Sequence, residues 1–231
     1  MPLFLTERDR TSKELMDDPD CDLQLLNNTY SQFSKVNRLL GGWSKIYKKW
    51  LFPVLKNCSD KPEILDIGCG GGDVLRFLKQ LAEKDNLDVG FTGIDLDERA
   101  IQFAKQTGDK DSIRFLNISS QKLIEKGNTY DIVISNHLMH HLTKNELLTL
   151  CKGAEKLTRR FVLFSDIERS DIGYAAFQVF SPIFFRKSFI SADGLTSIKR
   201  SYRQSELQQS LPEGWQVKRQ FPFRLLALFN K

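Results

Sequence analysis

Residues 63–76 read Glu63-Ile-Leu-Asp-Ile-Gly-Cys-Gly-Gly-Gly-Asp-Val-Leu-Arg76, and this stretch decides the fold. It opens with a short apolar run whose β-branched residues predict a buried strand. Glycines follow at positions 68, 70, 71 and 72, and the apolar spacing of a helix begins directly after them. A strand, a glycine turn and a helix bring backbone N–H groups and a helix N-terminus close to a ligand without intervening side chains. The stretch therefore predicts a ligand-binding loop at the end of the first strand.

The spacing of the glycines limits the kind of ligand. A dinucleotide fingerprint needs Gly-x-Gly-x-x-Gly, and here Asp73 stands at the third glycine position. A carboxylate there would repel two adjacent phosphates, so we expect a ligand without phosphates. Further along, Asp95 follows a second predicted strand, residues 89–94. An acidic residue at that strand end can accept hydrogen bonds from both hydroxyls of a ribose.

The ordered set Asp-x-Gly-x-Gly-x-Gly after the first strand and Asp95 after the second resembles the class I S-adenosylmethionine-dependent methyltransferases. The resemblance covers about residues 60–165. It implies a Rossmann-like α/β fold with a mostly parallel seven-stranded sheet, helices on both faces and an antiparallel last strand. It also implies S-adenosylmethionine as the cofactor. A doubly wound domain that binds another ligand at its switch point remains the alternative.

The resemblance also assigns residues to parts of the cofactor. The glycine loop and the residues after the fourth strand would hold the methionine end, and Asp95 the ribose. Asn117 stands where the family often has an Asp, and its amide oxygen can still accept a hydrogen bond from the adenine amino group. The complete predicted cofactor set is Asp66, Gly68, Cys69, Gly70, Gly72, Asp95, Leu96, Asn117, Ile118, Ser135 and Asn136.

All three histidines of the chain lie in Ser135-Asn-His-Leu-Met-His-His-Leu142, directly after the fourth predicted strand. Thr143 and Glu146 predict a capping box for the next helix, which places the histidines in a strand-to-helix loop at the ligand-binding edge of the sheet. At least one histidine should be structural. A metal site is not expected, because no acidic or thiol ligand follows at nearby spacing. A general base is the third interpretation. His-His-Leu after strand four is common in small-molecule methyltransferases, so the resemblance favours His140 or His141.

The loop after the fourth strand, the net charge and the cysteines indicate which substrates and which cell compartment to expect. The loop after strand four has neither the Asn/Asp-Pro-Pro-Tyr/Phe motif of base-methylating enzymes nor a nucleophilic cysteine, so we do not expect a nucleic-acid substrate. A net charge of +5 permits RNA or an anionic membrane surface as a partner without arguing for either. An RNA methyltransferase and a non-catalytic S-adenosylmethionine-binding protein remain the alternative functions. The four cysteines show no metal-binding spacing, and the first eight residues do not resemble a signal peptide, so we expect a cytoplasmic protein.

The segments outside the core predict a single domain of residues 1–231. We expect a helical cap over 1–60, the cofactor-binding core over 61–170, a substrate lid over 171–203, and a last helix with two edge strands over 204–231. The cap is similar to the N-terminal segment of quinone C-methyltransferases, although simple packing explains its aromatic residues as well.

The lid resembles bacterial methyltransferases of aromatic polyketide and quinone-like products. Its aromatic stretch, interrupted by Pro182, can be core packing, an apolar acceptor pocket or a transient membrane contact. A small-molecule acceptor is therefore the expected partner. The predicted substrate residues are Trp43, Asp166, Arg169, Phe177, Asp193 and Arg200.

Overall fold

The computed structural model describes residues 3–58, 60–108 and 112–231. Within these residues, seven strands form one sheet in the order β3-β2-β1-β4-β5-β7-β6. The strands are β1 (Glu63–Ile67), β2 (Gly90–Asp95), β3 (Arg114–Asn117), β4 (Tyr130–Asn136), β5 (Thr158–Ile167), β6 (Gln216–Gln220) and β7 (Arg224–Asn230).

The direction of the strands confirms the predicted fold class. The first five strands are parallel to one another, whereas β7 is antiparallel to both β5 and β6. The chain therefore returns from β6 to insert its last strand beside β5. The strand order reverses between β1 and β4, and ligands of open α/β sheets bind at the carboxyl ends of strands at such a point.

Helices cover both faces of the sheet. A π-helical turn, Tyr47–Leu51, joins the second helix to the third. The helices are α1 (Leu23–Leu39), α2 (Trp43–Ile46), α3 (Phe52–Lys56), α4 (Asp73–Lys84), α5 (Glu98–Gln106), α6 (Ser120–Glu125), α7 (Lys144–Leu157), α8 (Asp171–Phe184), α9 (Ile190–Arg200) and α10 (Gln204–Ser210).

Alternating side chains of the central strands explain the two helical layers. Ile64 and Ile132 pack in one hydrophobic cluster with residues of α2 to α4, whereas their neighbours Leu65 and Val133 pack in a second cluster with residues of α7. Successive strand residues point to opposite faces, so strands buried on both faces need helices on both sides. Among the residues that the structure describes, no helix is long and apolar enough to cross a membrane.

Some boundaries differ from the sequence expectation. Pro182 does not end a helix, because α8 continues through it to Phe184. A proline within a helix removes one hydrogen bond to the carbonyl group four residues earlier, and α8 ends two residues after Pro182. The sequence predicts a fifth strand over residues 160–164, and β5 extends three residues further because its pairing with β7 continues to Ile167.

The N-terminal segment, residues 3–22, lies against the lid and against the loop after β4. Only Leu15–Asp17 is helical in this segment, as a single 3-10 turn. The Arg8 guanidinium donates to the carbonyl oxygens of His140 and Leu142 at 2.8 and 3.0 Å. The segment is therefore part of the wall around that loop, although its polar composition predicts only an arm or a short helix.

Arg169 shows a structural role at the sheet edge. Its guanidinium is fully buried and donates to the carbonyl oxygen of Ser201 at 2.6 Å and to Glu206 Oε2 at 2.9 Å. Another hydrogen bond reaches the carbonyl oxygen of Leu5 at 3.2 Å. Arg169 thus ties the N-terminal segment, α9 and α10 to the end of β5.

We expect Arg169→Gln to lower the free energy of unfolding by about 2–3 kcal/mol, because it leaves a carboxylate and buried carbonyl groups without their charged donor. Urea unfolding measures this change. The control is Arg219→Gln, whose side chain is 62% exposed and pairs with Glu168, and which should change the free energy by about 1 kcal/mol or less. Equal stability of Arg169→Gln and the parent would contradict the structural role.

Candidate active site

A cavity of about 690 Å³ lies at the carboxyl ends of the strands. Its walls come from the loop after β1, the ends of β2 and β4, the N-terminal segment, α8 and α9. Of the predicted site residues, it brings together Asp66, Gly68, Cys69, Gly70, Asp95, Asn136, His140, His141, Phe177 and Asp193. The lining does not include Trp43, Gly72, Leu96, Asn117, Ile118, Ser135, Asp166, Arg169 or Arg200.

The glycine loop has the backbone shape that the sequence predicts. Gly68, Gly70 and Gly72 all have positive φ angles, of 71°, 51° and 77°. A Cβ at Gly72 would lie 2.4 Å from the Phe115 ring, whereas one at Gly70 would meet no atom within 4 Å. Gly72 is therefore needed for packing as well as for its dihedral angle, and Gly70 leaves open space beside the loop.

The loop is tied to the end of β2 by three backbone donors. The N–H groups of Gly68 and Cys69 donate to the Ile94 carbonyl oxygen at 2.9 and 3.0 Å. The Gly70 N–H donates to Asp95 Oδ2 at 2.8 Å. Asp95 thus has two roles in the geometry, because it fixes the loop and also lines the cavity.

Three carboxylates, those of Asp66, Asp73 and Asp95, line the cavity beside the glycine loop. Burial raises the pKa of Asp66 well above its usual value, and the neighbouring Asp73 and Asp95 carboxylates raise it further. Asp66 Oδ1 has no hydrogen-bond partner among the described residues. Burial also raises the pKa of Asp95, although the N–H groups of Asp97 and Gly70 oppose this change. Groups that neutralise or hydrogen-bond these carboxylates would be favoured ligands here.

A chain of hydrogen bonds connects the glycine loop to β7. The Asn37 amide donates to Asp73 Oδ2 at 2.9 Å and accepts from the Asn136 amide at 3.0 Å. The buried Arg224 donates to Asn136 Oδ1 at 2.6 Å and contacts His137 Nε2 at 2.9 Å. An arginine can only donate, so His137 accepts through Nε2. Burial and the nearby Arg224 charge lower the pKa of His137 well below its usual value, so this histidine is neutral and holds the loop.

His140 is buried between two carboxylates. Its Nδ1 lies 2.7 Å from Asp166 Oδ1, its backbone N–H donates to Asp166 Oδ2 at 2.8 Å, and its Nε2 lies 3.2 Å from Glu14 Oε1. Burial lowers the pKa of His140, but Asp166 and Glu14 outweigh it and raise the pKa to about 9. At neutral pH the ring is therefore an imidazolium and cannot accept a further proton. Asp166 positions this histidine and does not line the cavity.

His141 lies beside His140, with ring centroids 4.2 Å apart, but its side chain is 25% exposed and faces the cavity. Its Nε2 is 3.7 Å from Glu14 Oε1, and its Nδ1 is 3.4 Å from Asp17 Oδ2. Both separations are longer than a good hydrogen bond. Of the two histidines predicted as the base, His141 therefore has the more accessible ring.

Glu14 is a site residue that the sequence reasoning missed. It is 6% exposed, lines the cavity and accepts a hydrogen bond from Ser197 Oγ at 2.6 Å. Asp193 fixes its neighbours, since its carboxylate accepts from the N–H groups of Leu15 and Met16 at 2.7 and 3.0 Å. The sequence close to Glu14 offers only an acidic cluster, Asp17, Asp18 and Asp20, and such a cluster by itself is typical of a solvated surface.

Several predicted site residues hold backbone groups. Arg200 donates to the carbonyl oxygens of His140 and His141, at 3.4 and 3.1 Å. The Asn117 amide nitrogen donates to the carbonyl oxygens of Asp95 and Leu96, both at 3.0 Å. Ser135 Oγ donates to the Ile67 carbonyl oxygen at 2.7 Å, and Trp43 is fully buried in the core.

Aromatic residues of α8 form the apolar side of the cavity. Phe177, Phe180 and Phe184 line it, and the latter two are 56% and 66% exposed. A Cβ at Gly194 would lie 2.4 Å from the Phe177 ring, so a glycine allows α9 to pack closely against this aromatic residue. The cavity thus combines carboxylates and amides at the sheet edge with a pair of histidines and an aromatic wall.

Comparison with known proteins identifies a domain within the chain. Residues 64–160 match the family model described as a methyltransferase domain. Over 120 residues the chain is 27% identical to the mitochondrial ubiquinone biosynthesis O-methyltransferase of Arabidopsis thaliana, a match that covers 49% of this chain and 35% of that protein. The chain spans no more than 35% of the length of the curated relatives it matches.

Solved structures show the same fold. The plantazolicin methyltransferase BpumL in complex with SAH has a TM-score of 0.61 at 16% identity, covering 90% of this chain and 95% of that chain. Magnesium protoporphyrin IX methyltransferase from Synechocystis PCC 6803 with bound SAM has a TM-score of 0.52 at 16% identity, covering 86% and 84%. The glycine loop, the sheet order and the family match agree: residues 64–160 form a methyltransferase domain, within a chain whose fold is that of the class I S-adenosylmethionine-dependent methyltransferases.

Proposed function

We propose that this methyltransferase transfers the methyl group of S-adenosylmethionine to an oxygen or an activated ring carbon of a small aromatic acceptor, such as a quinone- or polyketide-like compound. One observation carries the proposal: a single cavity extends from the glycine loop and Asp95 to His141 and the aromatic wall of α8. The names of similar proteins support a small acceptor, since they act in ubiquinone biosynthesis, on plantazolicin and on magnesium protoporphyrin.

The residues of this chain fit the cofactor. Open space beside Gly70 admits a ligand against the loop backbone, and the Asp95 carboxylate can accept from both ribose hydroxyls. The Asn117 amide nitrogen is used on two carbonyl oxygens, so its amide oxygen is the group that would accept from adenine. The carboxylates of Asp66, which is buried, and of Asp73, which is half-buried, suit the ammonium group at the methionine end.

His141 is the general base of the proposal. The donor is a reactive sulfonium, so most of the acceleration comes from alignment of donor and acceptor, and effective molarities of ~10⁵ to 10⁸ M show how large that contribution can be. A phenolic hydroxyl has a pKa near ~10, so a base need only remove its proton as the new bond forms. His140 cannot be the base, because its ring is already protonated. Its contacts with Asp166 and Glu14 hold the loop and Glu14 in place.

The surroundings of the cavity favour a small apolar acceptor over RNA. The wall is aromatic rather than basic, so we propose no nucleic-acid partner. The exposed apolar residues of α8, including Val179 and Ile183, are compatible with a transient contact to a membrane that carries the acceptor. All four cysteines are free, which is typical of the reducing cytoplasm, the location that we propose.

The first prediction concerns the cofactor. Titration calorimetry should show binding of S-adenosylmethionine and no binding of NAD. Asp95→Ala should weaken S-adenosylmethionine binding by ~1.5–3 kcal/mol, the usual contribution of a hydrogen bond to a charged group. The control is Asp88→Ala, whose side chain is 80% exposed and which should bind like the parent. NAD binding without S-adenosylmethionine binding would overturn the assignment.

A second prediction separates the two histidines. His141→Gln should keep cofactor affinity and lower kcat by ~10²–10⁴-fold, the typical contribution of general acid–base catalysis. This defect should shrink as pH approaches the pKa of the acceptor hydroxyl, because an ionised acceptor needs no base. His140→Gln should mainly lower the melting temperature, since it leaves Asp166 and Glu14 buried without their partner. Full activity of His141→Gln at neutral pH would place the base elsewhere.

A third prediction tests the aromatic wall. Phe177→Ser should raise the KM for an apolar acceptor by roughly 10–100-fold, which corresponds to the loss of ~1.5–3 kcal/mol of apolar burial, and should leave the cofactor Kd unchanged. The matched control on the same helix is Val179→Ser, since Val179 is 63% exposed and is not among the lining residues. Equal KM values for both variants would mean that α8 does not contact the acceptor.

A further inference from the structure

Two histidine–carboxylate pairs converge on one glutamate. His140 Nδ1 faces Asp166 Oδ1 at 2.7 Å, and His141 Nδ1 faces Asp17 Oδ2 at 3.4 Å. The opposite ring nitrogens, Nε2 of both histidines, face the same atom, Glu14 Oε1, at 3.2 and 3.7 Å. Each ring therefore has one nitrogen towards an outer carboxylate and the other towards a shared inner carboxylate.

The distances within this cluster suit a metal ion. Zinc–nitrogen and zinc–oxygen bonds of ~2.0–2.2 Å in a tetrahedral site place two ligand atoms ~3.4 Å apart. The separations of 3.2 and 3.7 Å from Glu14 Oε1 lie on either side of that value. One ligand atom each from Glu14, His140 and His141 lies within 4.8 Å of the other two.

The outer contacts are those that metal-binding histidines need. A ligating histidine usually donates its second N–H to a carboxylate or a carbonyl group, which fixes the ring and its tautomer. Asp166 and Asp17 are positioned for this on the two rings. Ser197 Oγ donates to Glu14 Oε1, and Arg200 holds the histidine backbone carbonyl groups. The cluster is thus held from the N-terminal segment, the loop after β4, β5 and α9.

We propose that Glu14, His140 and His141 bind a divalent transition-metal ion such as Zn²⁺, which displaces the Nε2 proton of His140 to solvent and has its open coordination position towards the cavity. Two imidazoles and one carboxylate are a ligand set of zinc and related metals, whereas Mg²⁺ and Ca²⁺ prefer oxygen ligands alone. The sequence expectation of no metal depended on the lack of an acidic ligand near the histidines. The structure supplies that ligand from a position 126 residues earlier in the chain.

The metal site itself does not depend on the proposed function, but its effect on the acceptor does. An acceptor hydroxyl that reached the open position would have its pKa lowered by the metal ion and would lose its proton to water, whereas in the metal-free protein His141 would accept that proton. His141 would then be a ligand rather than a base. The site is complete within one chain and does not depend on how the cofactor is bound.

Titration of the chelator-treated, full-length protein with Zn²⁺, in competition with a chromogenic indicator, tests the site. The parent should bind one equivalent, and Co²⁺ in its place should give the visible absorption of a low-coordinate N/O site. Glu14→Gln should weaken Zn²⁺ binding at least 100-fold, and Asp166→Asn 10–100-fold, because it removes an outer contact only. The matched control is Glu7→Gln, an exposed glutamate of the same segment, which should bind like the parent.

Circular dichroism and S-adenosylmethionine affinity, measured on the same variants, separate loss of the site from loss of the fold. A folded Glu14→Gln variant that binds Zn²⁺ like the parent would overturn the proposal, and so would a parent that binds no stoichiometric Zn²⁺. Cofactor binding without Zn²⁺ binding would refute this inference and leave the proposed function intact. Zn²⁺ binding without cofactor binding would support this inference and refute the proposed function.

Discussion

The attachment of the glycine loop to the end of β2 is the constraint on which the rest of the site depends. The loop can turn sharply only because three of its glycines take positive φ angles, and it stays there because its N–H groups bond to Ile94 and Asp95. The same contacts place Asp95 at the cavity wall. A substitution that relaxed the loop would therefore move the ribose-binding carboxylate and the start of α4 together.

A second connection closes the site from the other side. The N-terminal segment reaches the loop after β4 through Arg8, and Asp193 on α9 holds the backbone from which Glu14 extends. Elements that are remote in sequence thus meet around His140 and His141.

The sequence predicts what depends on local pattern. The strand, the glycine turn and the following helix are encoded within residues 63–84, and the histidine loop is identified by the strand before it and the capping box after it. The insertion of β7 between β5 and β6 follows from pairing over distance, so no local pattern indicates it. Glu14 was not predicted as a site residue for the same reason, because it meets His140 across 126 residues of sequence.

Charged residues show a further limit of sequence reasoning. Arg169 and Arg200 lie in runs that resemble substrate-binding segments, but in the structure both guanidinium groups donate to backbone carbonyl oxygens. A sequence does not distinguish an arginine that binds a ligand from one that holds a turn, because both need the same donors.

The central claim is that methyl transfer to a small acceptor takes place in the cavity between the glycine loop and α8. Incubation of the protein with tritiated S-adenosylmethionine and a panel of hydroxylated aromatics and quinols tests it directly. We predict that labelled methyl appears in an extractable aromatic product, and that Phe177→Ser reduces its yield. Label that never leaves the cofactor, or that appears only in added RNA, would contradict the account.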